Sequence, residues 1–217
     1  QLSVRWHVQQ VANSLTWVEP PVAADSPRST PSEYGCGYFY IYTEFDHHVR
    51  SVMSLYVVTG GAGFIGSHLV EALLERGEQV RVFDDFSTGK QEYIESFADR
   101  IEVIEGNLCR LEEVRRAVDG ADYVLHQGAL RSVPRSVDNP VASNDVNVGG
   151  TLNVLHAAKE AGVKRVVSAS SSSVYGERDD FPLEEDAGEL NPMSPYAVSK
   201  LAGEKYCKVF TKLYGLE

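Results

Sequence analysis

The stretch "LYVVTGGAGFIGSHLVEALLERG", Leu55 to Gly77, decides how the chain folds. Leu55 to Thr59 is a short apolar run of the kind that forms a buried strand. Gly60, Gly63 and Gly66 follow, and Phe64 to Arg76 then reads as a helix with Gly77 at its end. Strand, glycine-rich turn and helix in that order make the first unit of a doubly wound sheet. Each glycine has its own task there. One permits the tight turn, one lets a pyrophosphate approach the backbone, and one lets helix and strand pack closely. The free N–H groups and the positive dipole end of the helix then face the phosphates. Read from Gly61, the run also satisfies G-x-G-x-x-G, so spacing alone leaves the register open.

Downstream, apolar runs and amphipathic segments alternate. Strands are expected at Gln79 to Asp84, Ile101 to Glu105, Tyr123 to His126 and Arg165 to Ser170. A long helix is expected from Pro140 to Ala161, closed by Gly162, and a last one starting with Ser194 as N-cap and Pro195 at its first position. Strands buried on both faces and alternating with helices specify an α/β fold with a doubly wound parallel (Rossmann) sheet. Asp84 stands eighteen residues after Gly66, at the end of the second strand. A carboxylate there accepts from the adenine-side ribose hydroxyls and repels a 2′-phosphate, which favours NAD over NADP. Arg81 and Lys90 are the cations that could serve NADP instead.

The 217 residues are 43% hydrophobic, enough for a sizeable core, and the net charge of −11 argues against nucleic-acid and anionic membrane surfaces. No apolar run is long enough to span a bilayer. Cys36, Cys109 and Cys207 are far apart and form no C-x-x-C pair, which reads as reduced thiols of a cytosolic protein with no metal site. Residues 1–52 are aperiodic, with Trp6, Trp17 and prolines at Pro20, Pro21 and Pro27 among others, and read as an irregular extension that adds nothing to the cofactor site. The authentic start is expected at Met53, with one domain over 53–217. Glu177 to Glu189, with seven acids and one arginine, reads as a solvated loop over the site mouth.

Tyr196 and Lys200 in "SPYAVSKLAGE" are four residues apart, so both leave one face of the last helix. A free tyrosine has a pKa of about 10 and is a poor base at neutral pH. A lysine cation one turn away favours the phenolate. Lowering that pKa by about three units takes roughly 4 kcal/mol of differential stabilisation. Such a phenolate removes a proton from a sugar or alcohol hydroxyl. Alone, the pair is ordinary surface chemistry. The glycine turn, Asp84 and the serines Ser170 to Ser173 after the fifth strand turn it into a site.

The motifs "TGGAGFIGSHLVEALL", "VFDDFSTGK", "HQGALRSVPRS", "NVGGTLNVLHAAKEAGVKRVV", "SASSSSVYG" and "SPYAVSKLAGE", in order from about Ser54 to Glu217, resemble the N-terminal part of the extended short-chain dehydrogenases/reductases, specifically the nucleotide-sugar 4-epimerases. The resemblance implies NAD held by Gly60, Gly63, Phe64, Ile65 and Gly66, with Asp84, Asp85, Phe86, Ser87 and Gly89 at the adenosine end. It implies Asn107 and Leu108 against the adenine, and Gln127, Gly128 and Ala129 along the cofactor. Asn147 supports the active-site end, and Tyr196 and Lys200 complete the set. The catalytic residues it implies are Ser171, Tyr196 and Lys200, with Ser132, Val133, Ser172 and Ser173 toward the sugar. Related dehydratases place an acid pair where Ser172 and Ser173 stand, and decarboxylating relatives a glutamate at Ser173, so 4-epimerisation of a UDP-hexose or UDP-N-acetylhexosamine through a 4-keto intermediate is the implied reaction.

Three positions depart from the family pattern: Asn107 replaces an aspartate, Gly128 an alanine and Gly149 a threonine. Gly149 and Gly150 together are expected to loosen the long helix by about 1 kcal/mol for each replaced residue. Relatives continue for roughly another hundred residues that form the substrate-binding lobe, so the sequence reads as truncated before that lobe and weak in NAD binding and turnover by itself. The resemblance also implies a homodimer at full length, with Val146, Leu152 and Leu155 on the long helix and Leu201 and Phe210 on the last one supplying part of the burial. Two other classes stay open: a non-catalytic dinucleotide sensor and an NADP-linked nucleotide-sugar reductase.

Overall fold

A computed structural model describes residues 53–178, Leu183 and 190–217. The expectations for residues 1–52, and that for most of the acidic stretch 177–189, lie outside the described residues. Five strands form one parallel sheet: β1 (Leu55–Thr59), β2 (Gln79–Asp84), β3 (Glu102–Glu105), β4 (Tyr123–His126) and β5 (Arg165–Ser168), in the order β3-β2-β1-β4-β5. β1 pairs on one side with β2 (Val57 opposite Arg81) and on the other with β4 (Val57 opposite Val124). The strand order reverses between β1 and β4, so a crevice opens beyond their carboxyl ends, the position where open α/β sheets bind ligands.

Successive side chains of the central strands point to opposite faces and build two cores. Tyr56, Val58, Val82 and Leu125 pack with Leu69, Val70 and Leu73 of α1 (Phe64–Glu75). Val57, Phe83 and Val124 pack on the other face with Val114 and Val118 of α2 (Leu111–Val118), Val154 and Leu155, and Phe210. Neither α2 nor α3 (Val133–Asp138) was expected from the sequence. The signals are there: Leu111, Val114 and Val118 recur at helical spacing, and Ser132 caps α3 by accepting from the Arg135 N–H at 3.2 Å.

The long helix is present but not uniform. α4 (Pro140–Asn144) runs through one π-turn, Asp145–Gly149, into α5 (Gly150–Ala161), which ends at left-handed Gly162 as expected. A π-turn inserts a residue into the helix and redirects the side chains after it. The last helix, α6 (Pro195–Tyr214), starts at the expected cap, with Ser194 accepting from the Ala197 N–H at 3.1 Å. Among the described residues no helix is long and apolar enough to cross a membrane.

The residues expected to supply a dimer contact are mostly committed inside the molecule. Leu155 and Phe210 are buried in the core, Leu152 packs against it, and Val146 lines the crevice. The helical pattern identified an apolar face but not which partner covers it. Apolar residues left outside include Val137 on α3, Val141 on α4, and Val198, Val209 and Leu213 on α6.

Candidate functional site

The turn between β1 and α1 has the Gly60, Gly63, Gly66 register. Gly60 lies at φ +67°, where side chains are strained, and its N–H donates to Phe83 O at 2.8 Å. A Cβ on Gly66 would stand 2.1 Å from Gly60 O, so any side chain there would push α1 off the turn. Gly63 is the N-cap of α1, and no side chain caps the first turn. The orphan N–H groups and the positive end of α1 are thus available to an anion.

Asp84 ends β2 beside this turn and is buried. Its Oδ2 accepts from the Ala62 N–H at 3.0 Å and its Oδ1 from the Phe86 N–H at 2.9 Å. Burial pushes its carboxyl above the ordinary carboxylate value, and the backbone donors oppose that push. Each oxygen keeps a lone pair for a further donor. Gly89 approaches so closely that a Cβ would stand 2.8 Å from Oδ1. Phe86, at φ +53°, turns the chain around the carboxylate. Arg81, considered for a 2′-phosphate, points elsewhere: it is held by Glu102 at 2.6 Å and by the carbonyls of Ala117 and Asp119. Lys90 does face the crevice. Asn107 lines it too, with Oδ1 already accepting from the Cys109 N–H at 2.8 Å.

At the other end, Tyr196 and Lys200 of α6 both line the crevice. Lys200 Nζ donates to Ala169 O at 3.0 Å, and burial holds its pKa below the ordinary lysine value. Ser170 also lines it and donates to Glu204, one turn beyond Lys200. Ser171 caps the short 3-10 turn Ser172–Tyr175 and accepts from both the N–H and the hydroxyl of Ser173, at 3.2 and 2.9 Å. Ser173 therefore leans back on Ser171, and Ser172 is exposed.

One crevice of about 300 Å³ gathers most of the residues singled out from sequence: Gly60, Gly63, Phe64, Ile65, Gly66, Asp84, Asp85, Ser87, Gly89, Asn107, Leu108, Gln127, Gly128, Ala129, Tyr196 and Lys200. Phe86, Ser132, Val133, Asn147, Ser171, Ser172 and Ser173 lie outside its lining. Asn147 acts from behind. Its Oδ1 accepts from the Leu130 N–H at 2.8 Å, and its Nδ2 donates to Leu130 O at 3.1 Å and to Ser199 Oγ at 3.0 Å. Thr88, Tyr93, Arg131 and Val146 line the crevice and were not assigned to the cofactor from sequence. Thr88 and Arg131 sit inside quoted motifs, whereas Tyr93 arrives through the 3-10 turn Gln91–Tyr93, which no periodic pattern announces.

An uncapped helix start on a glycine turn, a carboxylate at the end of the next strand, and a tyrosine and lysine at the far end fit an extended dinucleotide. Residues 56–217 match the NAD dependent epimerase/dehydratase family. The chain is 41% identical over 165 residues to UDP-glucose 4-epimerase of Mycolicibacterium smegmatis, covering 74% of this chain and 52% of that protein. Among solved structures it is similar to UDP-glucose 4-epimerase of Thermus thermophilus in complex with NAD, with 41% identity, a TM-score of 0.70, and 75% and 52% of the two chains covered. It is also similar to DesIV of Streptomyces venezuelae, a dTDP-glucose 4,6-dehydratase with NAD and TYD bound, at 33% identity and TM-score 0.71, with 75% and 53% covered. The chain spans about half the length of the curated relatives it matches. With the match extending over most of its length and through every wall of the crevice, the chain belongs to the NAD dependent epimerase/dehydratase family.

Proposed function

We propose that residues 53–217 are the NAD-binding and catalytic part of a 4-epimerase acting on a UDP-hexose or UDP-N-acetylhexosamine. The observation that carries this reading is the placement of Tyr196 and Lys200 in the same crevice as the glycine turn and Asp84, with serines rather than acids at positions 172 and 173. Water elimination needs an acid and a base flanking the sugar, and that pair is missing there.

The roles follow from the chemistry of each group. The first turn of α1 binds the pyrophosphate, and Asp84 accepts from the adenosine ribose. NAD, when bound, supplies reversible oxidation at C4 of the sugar. Tyr196 takes the 4-hydroxyl proton and later returns it. Ser171 orients that hydroxyl: its oxygen already accepts from Ser173, so its own proton is free to be given. Lys200 supplies the positive field that favours the phenolate. No proton, electron pair or cofactor is consumed over a full cycle, because the second half reverses the first on the opposite face.

In this reading the protein is cytosolic, since Cys109 and Cys207 are both free thiols. It is a homodimer at full length, and exposed Val137, Val141 and Val198 are the surface to test. The deciding experiment follows UDP-glucose and UDP-N-acetylglucosamine by NMR with NAD present. The 217-residue chain is expected to bind NAD weakly and turn over negligibly. Joined to a substrate-binding half like that of its relatives, it is expected to interconvert C4 epimers without net NADH release. Loss of water from the sugar, or stoichiometric NADH, would refute the epimerase assignment.

A further inference from the structure

Five buried polar residues from five parts of the fold form one hydrogen-bonded chain behind the crevice, which passes through the main chain at Asn147. They are Thr59 at the end of β1, His126 at the end of β4, Thr151 in α5, Asn147 in the π-turn and Ser199 in α6, none more than 6% exposed. The directions of the bonds are fixed by counting protons. Thr151 Oγ1 commits its only proton to Asn147 O at 2.6 Å, so it accepts from His126 Nε2 at 3.0 Å. The imidazole therefore carries its proton on Nε2, and its bare Nδ1 accepts from Thr59 Oγ1 at 2.7 Å. Thr59 Oγ1 in turn accepts from the Gly128 N–H at 3.2 Å. At the other end, Ser199 Oγ donates to Tyr196 O at 2.7 Å and accepts from Asn147 Nδ2.

The chain thus starts beside Gly60 and ends on the backbone of Tyr196. His126 is its centre and lies outside the crevice lining. An apolar side chain would fill the same place between β1 and α5 but would leave the Thr59 hydroxyl proton without an acceptor and take one donor from the Thr151 oxygen. Linked hydrogen bonds in a dry interior also resist distortion more than isolated ones. We infer that His126 is a positioning residue of the site: by joining Thr59 to Thr151, its imidazole fixes the Tyr196-bearing helix relative to the glycine turn of the cofactor strand.

The inference rests on the reading of Tyr196 and the glycine turn as one site, and it is tested by measurements that separate the two. In the ¹⁵N-labelled chain, long-range ring correlations are expected to show His126 as the Nε2–H tautomer, unchanged from about pH 5 to 8. Among the described residues, Lys200 is the charged group bearing on the ring. An Nδ1–H tautomer or a ring that titrates in that range would overturn the inference. The second measurement is a double-mutant cycle in NAD affinity between His126→Phe and Ser199→Ala. Each change alone is expected to weaken binding by about 3- to 10-fold, the size of one buried hydrogen bond. The double variant is expected to bind no worse than the weaker single one, because both cut the same chain. Losses that multiply would show two independent packing defects and no relay. His126→Gln, which keeps a donor for Thr151, is expected to recover at least half of the lost affinity in log terms. It also serves if the phenylalanine variant does not fold, and a glutamine variant as weak as the phenylalanine one counts against positioning. A wild-type chain that does not bind NAD would sink the cofactor reading, while the ring tautomer would still decide this one.

Discussion

Leu108 occupies the space that a side chain on Gly150 would need: a Cβ there would stand 2.9 Å from Leu108 Cβ. The neighbouring Gly149 faces nothing within 4 Å and has ordinary helical backbone angles, φ −60° and ψ −47°. Two adjacent glycines that look alike in sequence therefore differ in kind. Gly149→Ala is expected to stabilise the protein by about 0.5–1 kcal/mol through lost chain entropy in the unfolded state. Gly150→Ala is expected to destabilise it by about 1–3 kcal/mol, since Leu108 Cβ cannot swing away as a side-chain tip can. Urea denaturation of both variants checks the pair, and equal effects would remove the packing argument.

Asp84 has a structural job as well as the proposed ribose contact. Asp84→Ala is expected to narrow the preference for NAD over NADP in a fluorescence titration. It is also expected to lower stability by about 1–3 kcal/mol, because the Ala62 and Phe86 N–H groups lose their acceptor. Asp84→Asn keeps one acceptor oxygen and is expected to lose less stability. Equal or tighter NADP binding by the unmodified protein would reverse the specificity assignment.

His126 also shapes the dependence of stability on pH. Burial first and the Lys200 charge second push its pKa from 6.5 down to about 3. The unfolded chain binds a proton below about pH 6.5 that the folded protein refuses, so stability rises with pH between about 3 and 6.5 and is flat above. This group alone is expected to make the protein about 2 kcal/mol less stable at about pH 5 than at about pH 8. Asp84, whose folded pKa is raised, works in the opposite sense at lower pH. The difference between wild type and His126→Gln, followed by urea denaturation from about pH 5 to 8, isolates the histidine. A difference that does not change with pH would mean that the imidazole takes up a proton in the fold as readily as in the unfolded chain.

Catalysis offers the sharpest separation of roles. In the chain joined to a substrate-binding half, Tyr196→Phe removes the base and leaves the ring, so kcat is expected to fall by roughly 10²–10⁴ with NAD binding intact. Lys200→Met is expected to weaken NAD binding and rate together, and to free the Ala169 carbonyl it now bonds. A Tyr196→Phe enzyme with normal turnover would show that the base lies elsewhere.

Local sequence pattern was enough to give the parallel sheet, and the family resemblance named most of the other residues of the crevice. Apolar strands alternating with helices admit few parallel arrangements, and the glycine spacing, Asp84 and the Tyr196–Lys200 pair are local patterns with a local cause. Whatever depends on distant segments meeting was settled by the folded chain. Spacing allowed two glycine registers that differ at Gly60 and Gly61, and Gly60 is the one at positive φ, where a Cβ would also stand 2.7 Å from the Gly128 backbone. Arg81 sat in the right strand for a phosphate, yet Glu102 on the neighbouring strand holds it away. Leu155 and Phe210 formed an apolar face whose partner turned out to be the protein's own core. The bonds from Thr59 through His126 to Ser199 join residues far apart in the chain and obey no period. They exist because buried polar atoms must find partners wherever the fold brings them together.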